Sequence, residues 1–159
     1  TGGFTDCLLQ RGASKVYAVD VGRGQIDYKL RIDDRVHVIE KTNARFPFPL
    51  PEKVDLITID VSFISLTMVI PTVIEHLGFG RYIVALVKPQ FEAQKGKVGK
   101  GGIIKDPKLH AEVLGNIVNW AVSRGLRLRD ICRSPILGDA GNREFFVLLE
   151  RPRSVDANT

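Results

Sequence analysis

A chain of 159 residues, 44% hydrophobic and 26% charged, can bury one sizeable core but is short for two, and its composition excludes a largely disordered polypeptide. Its longest apolar segment, residues 68–80, is broken by Pro71, Glu75 and His76 and falls short of the roughly 20 apolar residues a bilayer core needs, so no membrane insertion is expected. A net charge of +5 is a mild bias toward a polyanionic partner, and two cysteines, Cys7 and Cys132, are too few for a disulfide framework and are expected as reduced, partly buried thiols in the cytoplasm.

The chain opens on Thr1-Gly2-Gly3 and passes at once into helical spacing, which predicts a glycine-rich turn between a strand and a helix, with that first strand missing from the sequence given. The helix spans residues 4–11, with Phe4, Cys7, Leu8 and Leu9 on one side. β-Branched runs over 15–20, 35–39, 54–60 and 81–87 predict strands, and the last two are apolar enough to be covered on both faces. Helical periodicity recurs over 65–77, where Leu66, Val69, Ile70, Val73, Ile74 and Leu77 share a stripe, and over 108–123. Strand alternating with helix implies crossover connections and a mostly parallel, doubly wound α/β sheet. The final pair of strands, 126–137 and 144–150, leaves no room for a helix between them and should pair antiparallel. Residues 1–150 read as one domain and 151–159 as a flexible tail.

Ligands of open α/β sheets bind beyond the C-terminal ends of the parallel strands. Asp20 and Asp60 end two of these strands, Lys88 follows a third, and Glu144 begins the reversed strand, so topology sends all four to that edge. Singly, each has an ordinary reading. A strand-end Asp often caps the next helix, as Ser62 or Ser65 would here; Lys88 could be a solvated loop residue; Glu144 could pair at the surface with Arg143. Their shared edge raises them above that. Gly2-Gly3 ahead of a helix suits close approach of a ligand to backbone amides, and Asp20 after the following strand is where a carboxylate accepts two ribose hydroxyls of a nucleoside cofactor. Gly22-Arg23-Gly24 lacks the third glycine of a dinucleotide fingerprint, and Gly96–Gly102 lacks the ending of a phosphate-binding loop. Residues 88–105 carry a net charge of +4 and four glycines, which predicts a flexible basic loop that a phosphate backbone would meet. Phe63 and Phe91 flank the same mouth and are placed either to stack on a base or to join the core. His37, His76 and His110 have no metal-ligand spacing, so no metal is expected.

Several segments are recognisable together: Thr1-Gly-Gly-Phe-Thr-Asp-Cys, Ala18-Val-Asp-Val-Gly, Lys41-Thr-Asn-Ala-Arg45, Asp60-Val-Ser-Phe-Ile-Ser65, Val87-Lys-Pro-Gln-Phe-Glu92, Gly99-Lys-Gly-Gly-Ile-Ile-Lys-Asp106 and Gly141-Asn-Arg-Glu144. In this order, through nearly the whole chain, they resemble the TlyA-type branch of the FtsJ-like methyltransferases, whose members often carry the label haemolysin. The resemblance implies a Rossmann-like methyltransferase fold, S-adenosylmethionine as cofactor, and methylation of ribose 2′-hydroxyls, of cytidine in characterised members, in the ribosomal RNA of ribosomal subunits. It implies a catalytic Lys-Asp-Lys-Glu set, of which Asp60, Lys88 and Glu144 match the last three; the first lysine and a small RNA-binding domain lie upstream of this sequence. The cofactor is expected on Thr1, Gly2, Gly3, Phe4 and Thr5, with Asp20 at its ribose, Asn43 near its adenine and Asp60 beside it. RNA is expected on Lys95, Lys97, Lys100, Lys105 and Arg143. A methyltransferase fold retained as an inactive RNA- or ribosome-binding module, and a nicotinamide-dependent oxidoreductase, are the rival readings.

Overall fold

The computed structural model describes residues 2–153, so Thr1 and residues 154–159 of the expected tail lie outside the described residues. The chain forms two compact units, Thr1–Pro49 and Leu50–Thr159.

In the first unit, α1 (Gly3–Gln10) leads into β1 (Val16–Val19), and a short α2 (Tyr28–Arg31) leads into β2 (Val36–Ile39). β1 and β2 pair parallel, Val16 opposite Val36 through Val19 opposite Ile39, and the crossover that parallel pairing requires runs through α2. The expected pattern holds no helix there; Asp27 starts it by accepting the Lys29 N–H at 2.8 Å. Leu9 and Leu30 close over Val16, Ala18 and Val36 to make a small core. The inner face of α1 is carried by Thr5 and Leu9, one turn apart, so Cys7 points outward; Cys132, on a strand whose every residue is exposed, does so too. Both thiols are therefore free and exposed, not partly buried as expected.

The second unit contains β3 (Val54–Ile59), α3 (Leu66–Val73), β4 (Leu77–Val87), α4 (Pro89–Glu92), α5 (Pro107–Ser123), β5 (Arg127–Arg133) and β6 (Phe145–Arg151). Its sheet has the order β3-β4-β6-β5, with β3 parallel to β4 and β6 antiparallel to both β4 and β5. Three strands thus share one direction and the C-terminal strand opposes them, as the element order predicts. Leu66, Val69, Ile70 and Val73 of α3 and Val113, Ile117 and Ala121 of α5 are buried with Ile83, Ala85, Val87, Val147 and Leu149 of the sheet.

Some boundaries differ from expectation for physical reasons. β3 is the edge strand of its sheet, so Leu56 is 38% exposed and only Ile59 is fully buried, in place of cover on both faces. The helix expected to reach Leu77 ends at Val73 and tightens into a 3-10 turn over Ile74–His76, which frees Leu77 to open β4 opposite Val54. Arg151, assigned above to the tail, closes β6 opposite Arg81 and donates to the carbonyls of Ile74 and Leu77 at 2.6 and 2.7 Å. Among the described residues, no helix is long and apolar enough to cross a membrane.

Candidate active site

β3 and β4 run side by side with Ile59 opposite Ala85, so Asp60 and Lys88, each the next residue beyond its strand, emerge at one edge. β6 runs the other way with Phe145 opposite Val87, which brings Glu144 to that same edge. The Lys88 ammonium Nζ lies 2.7 Å from Asp60 Oδ1 and donates to Ser62 Oγ at 3.0 Å. The Lys88 side chain is 14% exposed and that of Asp60 50%, so a mostly covered cation meets a carboxylate still open to solvent. Asp60 does not cap α3; Ser65 does, accepting the Thr67 N–H. Asp60 is therefore free for the ion pair.

Glu144 is 7% exposed, too buried for the surface pair its neighbour Arg143 suggested. Burial is the main cause that pushes its carboxyl above the usual range; Lys88 pulls it down, Asp60 pushes it up, the Gln90 amide pulls it down and Asp139 pushes it up. Room for this carboxylate is made by a missing side chain: a Cβ on Gly138 would stand 2.0 Å from Glu144 Oε1. Asp60, Lys88 and Glu144, far apart in sequence, thus form one cluster in the second unit.

Two polar side chains, one half-buried and one buried, fix the loops around this cluster. Glu92, at the end of α4, accepts from Ser65 Oγ at 2.6 Å and from the Leu66 N–H at 2.8 Å, binding the segment after Lys88 to the start of α3. Its carboxyl is also raised, chiefly by burial, with those two hydrogen bonds opposing. Asn142, 3% exposed, accepts the Ile104 N–H at 3.0 Å and donates to the Gly102 carbonyl at 2.9 Å. Phe63 stands 89% exposed with φ 63°, a backbone state few side chains tolerate, and its ring centroid is 4.8 Å from that of Phe91. It did not join the core.

The first unit carries the candidate cofactor residues other than Asp60, which belongs to the second. Gly2 is the N-cap of α1 with φ 98°, and a Cβ there would reach within 2.6 Å of Leu30 Cδ1, so conformation and space both call for glycine. Gly3 is exposed with open space beside it, Phe4 is half-buried, and Thr5 is buried toward the core. Asp20 directly follows β1; its Oδ1 accepts the Gly22 N–H at 2.7 Å, which orients the half-buried carboxylate. Asn43 is exposed and its Oδ1 accepts the Arg45 N–H at 3.0 Å. Thr1 lies outside the described residues.

The basic stretch is less loop-like than its composition suggests. It begins with α4, includes a 3-10 turn at Lys100–Gly102, and is pinned at buried Ile104. Lys95, Lys100 and Lys105 are exposed, Lys97 is paired with Glu112 at 2.6 Å, and Arg143 is half-buried. Ser62, Gln90, Glu92, Gly138 and Asn142 were not singled out as site residues. Glu92 and Asn142 carried one readable signal, that both lie inside the segments recognised above; Gly138 carried none, because its role depends on the carboxylate it admits.

Known proteins resemble this chain through most of its length. The sequence model of the FtsJ-like methyltransferases matches residues 1–151. YqxC of Bacillus subtilis is 48% identical over 158 residues, which are 96% of this chain and 55% of that protein. The 16S/23S rRNA (cytidine-2′-O)-methyltransferase TlyA of Mycobacterium tuberculosis is 46% identical over 151 residues, 94% of this chain and 56% of that protein. A solved structure from Streptococcus thermophilus that carries the name hemolysin superposes with a TM-score of 0.92 at 44% identity, covering 97% of this chain and 57% of its own. The chain therefore spans a little over half the length of the relatives it matches.

Proposed function

The chain belongs to the FtsJ-like methyltransferase family, and from that premise we propose that it methylates ribose 2′-hydroxyls of ribosomal RNA, cytidine among them, with S-adenosylmethionine, in the cytoplasm. The observation that carries the reading is the cluster of Lys88, Asp60 and buried Glu144 at one sheet edge. The donor set of the first unit fits the cofactor: Asp20 offers a carboxylate fixed by one backbone N–H that would accept ribose hydroxyls, and the left-handed Gly2 with open Gly3 lets a ligand approach the start of α1. When bound, that cofactor supplies an electrophilic sulfonium methyl.

The chain's own residues have the harder task of making a hydroxyl nucleophilic. A ribose 2′-hydroxyl near neutral pH needs a base or a strong acceptor. Lys88 Nζ is the group we assign to receive its proton, and it can do so only in the neutral form, so it must first part with a proton of its own. Asp60 and Ser62 aim the amine, and Glu144 provides a carboxylate whose neutral form burial favours. Positioning of the hydroxyl adds to this acid-base help. Exposed Phe63, resting on Phe91, offers a face on which the acceptor base would stack, and Lys95, Lys100, Lys105 and Arg143 offer charge to the phosphates.

The test is incubation of the protein with ribosomal subunits and methyl-labelled S-adenosylmethionine, followed by mapping of the methyl group. Lys88→Ala should lower transfer by at least about 100-fold while cofactor affinity stays within a few-fold. Loss of both would make Lys88 structural. RNA binding without transfer in the wild type would give the inactive binding module instead.

A further inference from the structure

Asn142 takes no part in the chemistry just proposed, yet its side chain is among the most buried polar groups described. Two segments roughly forty residues apart meet on it. Its Oδ1 accepts the Ile104 N–H at 3.0 Å and its Nδ2 donates to the Gly102 carbonyl at 2.9 Å, so a single amide satisfies one donor and one acceptor of a glycine-rich backbone that has no sheet partner there. The Ile104 carbonyl is held from the other side by His110 Nε2 at 3.0 Å; a carbonyl only accepts, so Nε2 carries the proton. His110 in turn packs its ring edge-on to Phe145, the first residue of β6.

The other end of Asn142 is tied to the turn that shapes the site. Its carbonyl accepts the Gly138 N–H at 2.9 Å, and Gly138 is the residue whose missing side chain admits the Glu144 carboxylate. Both backbone stretches use left-handed residues, Gly101 and Gly102 at φ 83° and 73°, Ala140 and Gly141 at φ 58° and 83°. Ala140, the non-glycine among them, is held in a backbone state that persists only where its surroundings fix it. We infer that Asn142 is a positioning residue that joins the anchored end of the basic loop to the Glu144 turn, so that RNA gripped by Lys100 and Lys105 is held in register with the carboxylate. This rests on the RNA methyltransferase reading for the RNA and on the hydrogen bonds alone for the joint.

Asn142→Asp and Asn142→Ala separate these parts. The aspartate keeps the acceptor for Ile104 and sets a second oxygen against the Gly102 carbonyl; the alanine removes both bonds. Each variant is compared with wild type by circular dichroism, by hydrogen exchange of the Ile104 amide, by proteolysis within residues 95–101, and by KM for ribosomal subunits against cofactor affinity. We expect a folded protein in which Ile104 exchanges about tenfold faster in the alanine variant, the loop is cut faster in both, KM for the RNA substrate rises by about tenfold, and cofactor affinity is unchanged. Unchanged exchange and proteolysis would overturn the joint. A loosened loop with unchanged RNA KM would overturn the register. Should Asn142→Ala fail to fold, the aspartate variant alone decides. Wild-type protein without methyl transfer would remove the enzyme reading while leaving the exchange measurement valid.

Discussion

In the first unit the carboxylates of Asp33 and Glu40 sit beside Arg35 and Arg31, which hold them ionised; in the second, those of Glu92 and Glu144 are drawn into the protein, where burial favours the neutral acid. Asp33 is held down at about 2 by hydrogen bonds from the Arg35 side chain and backbone. Glu40 is lowered by Arg31 and by the Gly24 N–H. Among the described residues the partners of Glu92 are a hydroxyl and a backbone amide, neither of them a cation. Surface ion pairs of the first kind add little and are screened by salt. A buried carboxyl of the second kind lowers the stability of the ionised protein, because burial raises it above the ordinary carboxylate range.

The contrast is broken most directly at Gly138. Gly138→Ala places a methyl group 2.0 Å from Glu144 Oε1, so the carboxylate or the turn has to move. We expect a loss of about 1–3 kcal/mol in stability by urea unfolding and loss of methyl transfer. We also expect the Glu144 carboxyl, followed by 13C NMR, to return toward an ordinary value as it leaves its site. An unmoved titration would mean that the cavity at Gly138 does not set the environment of Glu144. Gly2→Ala is the matching change in the first unit: its positive φ and the contact with Leu30 predict a loss of similar size with no effect on Glu144.

A smaller effect is expected at Glu92. Glu92→Ala leaves the Leu66 N–H and the Ser65 hydroxyl without their acceptor and should cost about 1–2 kcal/mol. It also releases the segment after Lys88 from α3. Amide exchange at Leu66 would report that release, and unchanged exchange would show that water replaces the carboxylate at no cost.

The order of the strands and of the three longer helices was legible because apolar periodicity is local, and so was the convergence of Asp60, Lys88 and Glu144, because strand ends in an α/β sheet follow from direction alone; the four-residue α2 and α4 are too short to show a period. Burial was harder to read. β3 looks like a strand covered on both faces, yet a sheet edge leaves Leu56 open, and edge position is a property of pairing that no local run encodes. The exposed Phe63 could not be told from a core residue by composition. The contacts of Gly138 and Asn142 join residues brought together only by the turn before β6, and for such pairs spacing along the chain carries no signal.

The smallest expected effect tests the opposite signs of the two regions. For Glu92 the folded carboxyl titrates above its unfolded value of 4.5, so the folded protein binds the extra proton and this group's contribution is fully present below about 4.5, then lost as pH rises through the folded value. Glu92→Gln keeps an acceptor for the Leu66 N–H and cannot ionise. Its stability relative to wild type should therefore be greater at pH 8 than at pH 4. For Asp33 the folded carboxyl titrates at about 2 against 3.8 unfolded, so its contribution is present above about 3.8 and disappears as pH falls through about 2. Asp33→Asn should therefore lie below wild type at pH 7 and approach it in acid, by an amount that shrinks in high salt because the pair with Arg35 is at the surface. Taking each variant as a difference from wild type cancels the contribution of every other group. Differences of the same sign in both variants would show that the two regions do not treat their carboxylates differently.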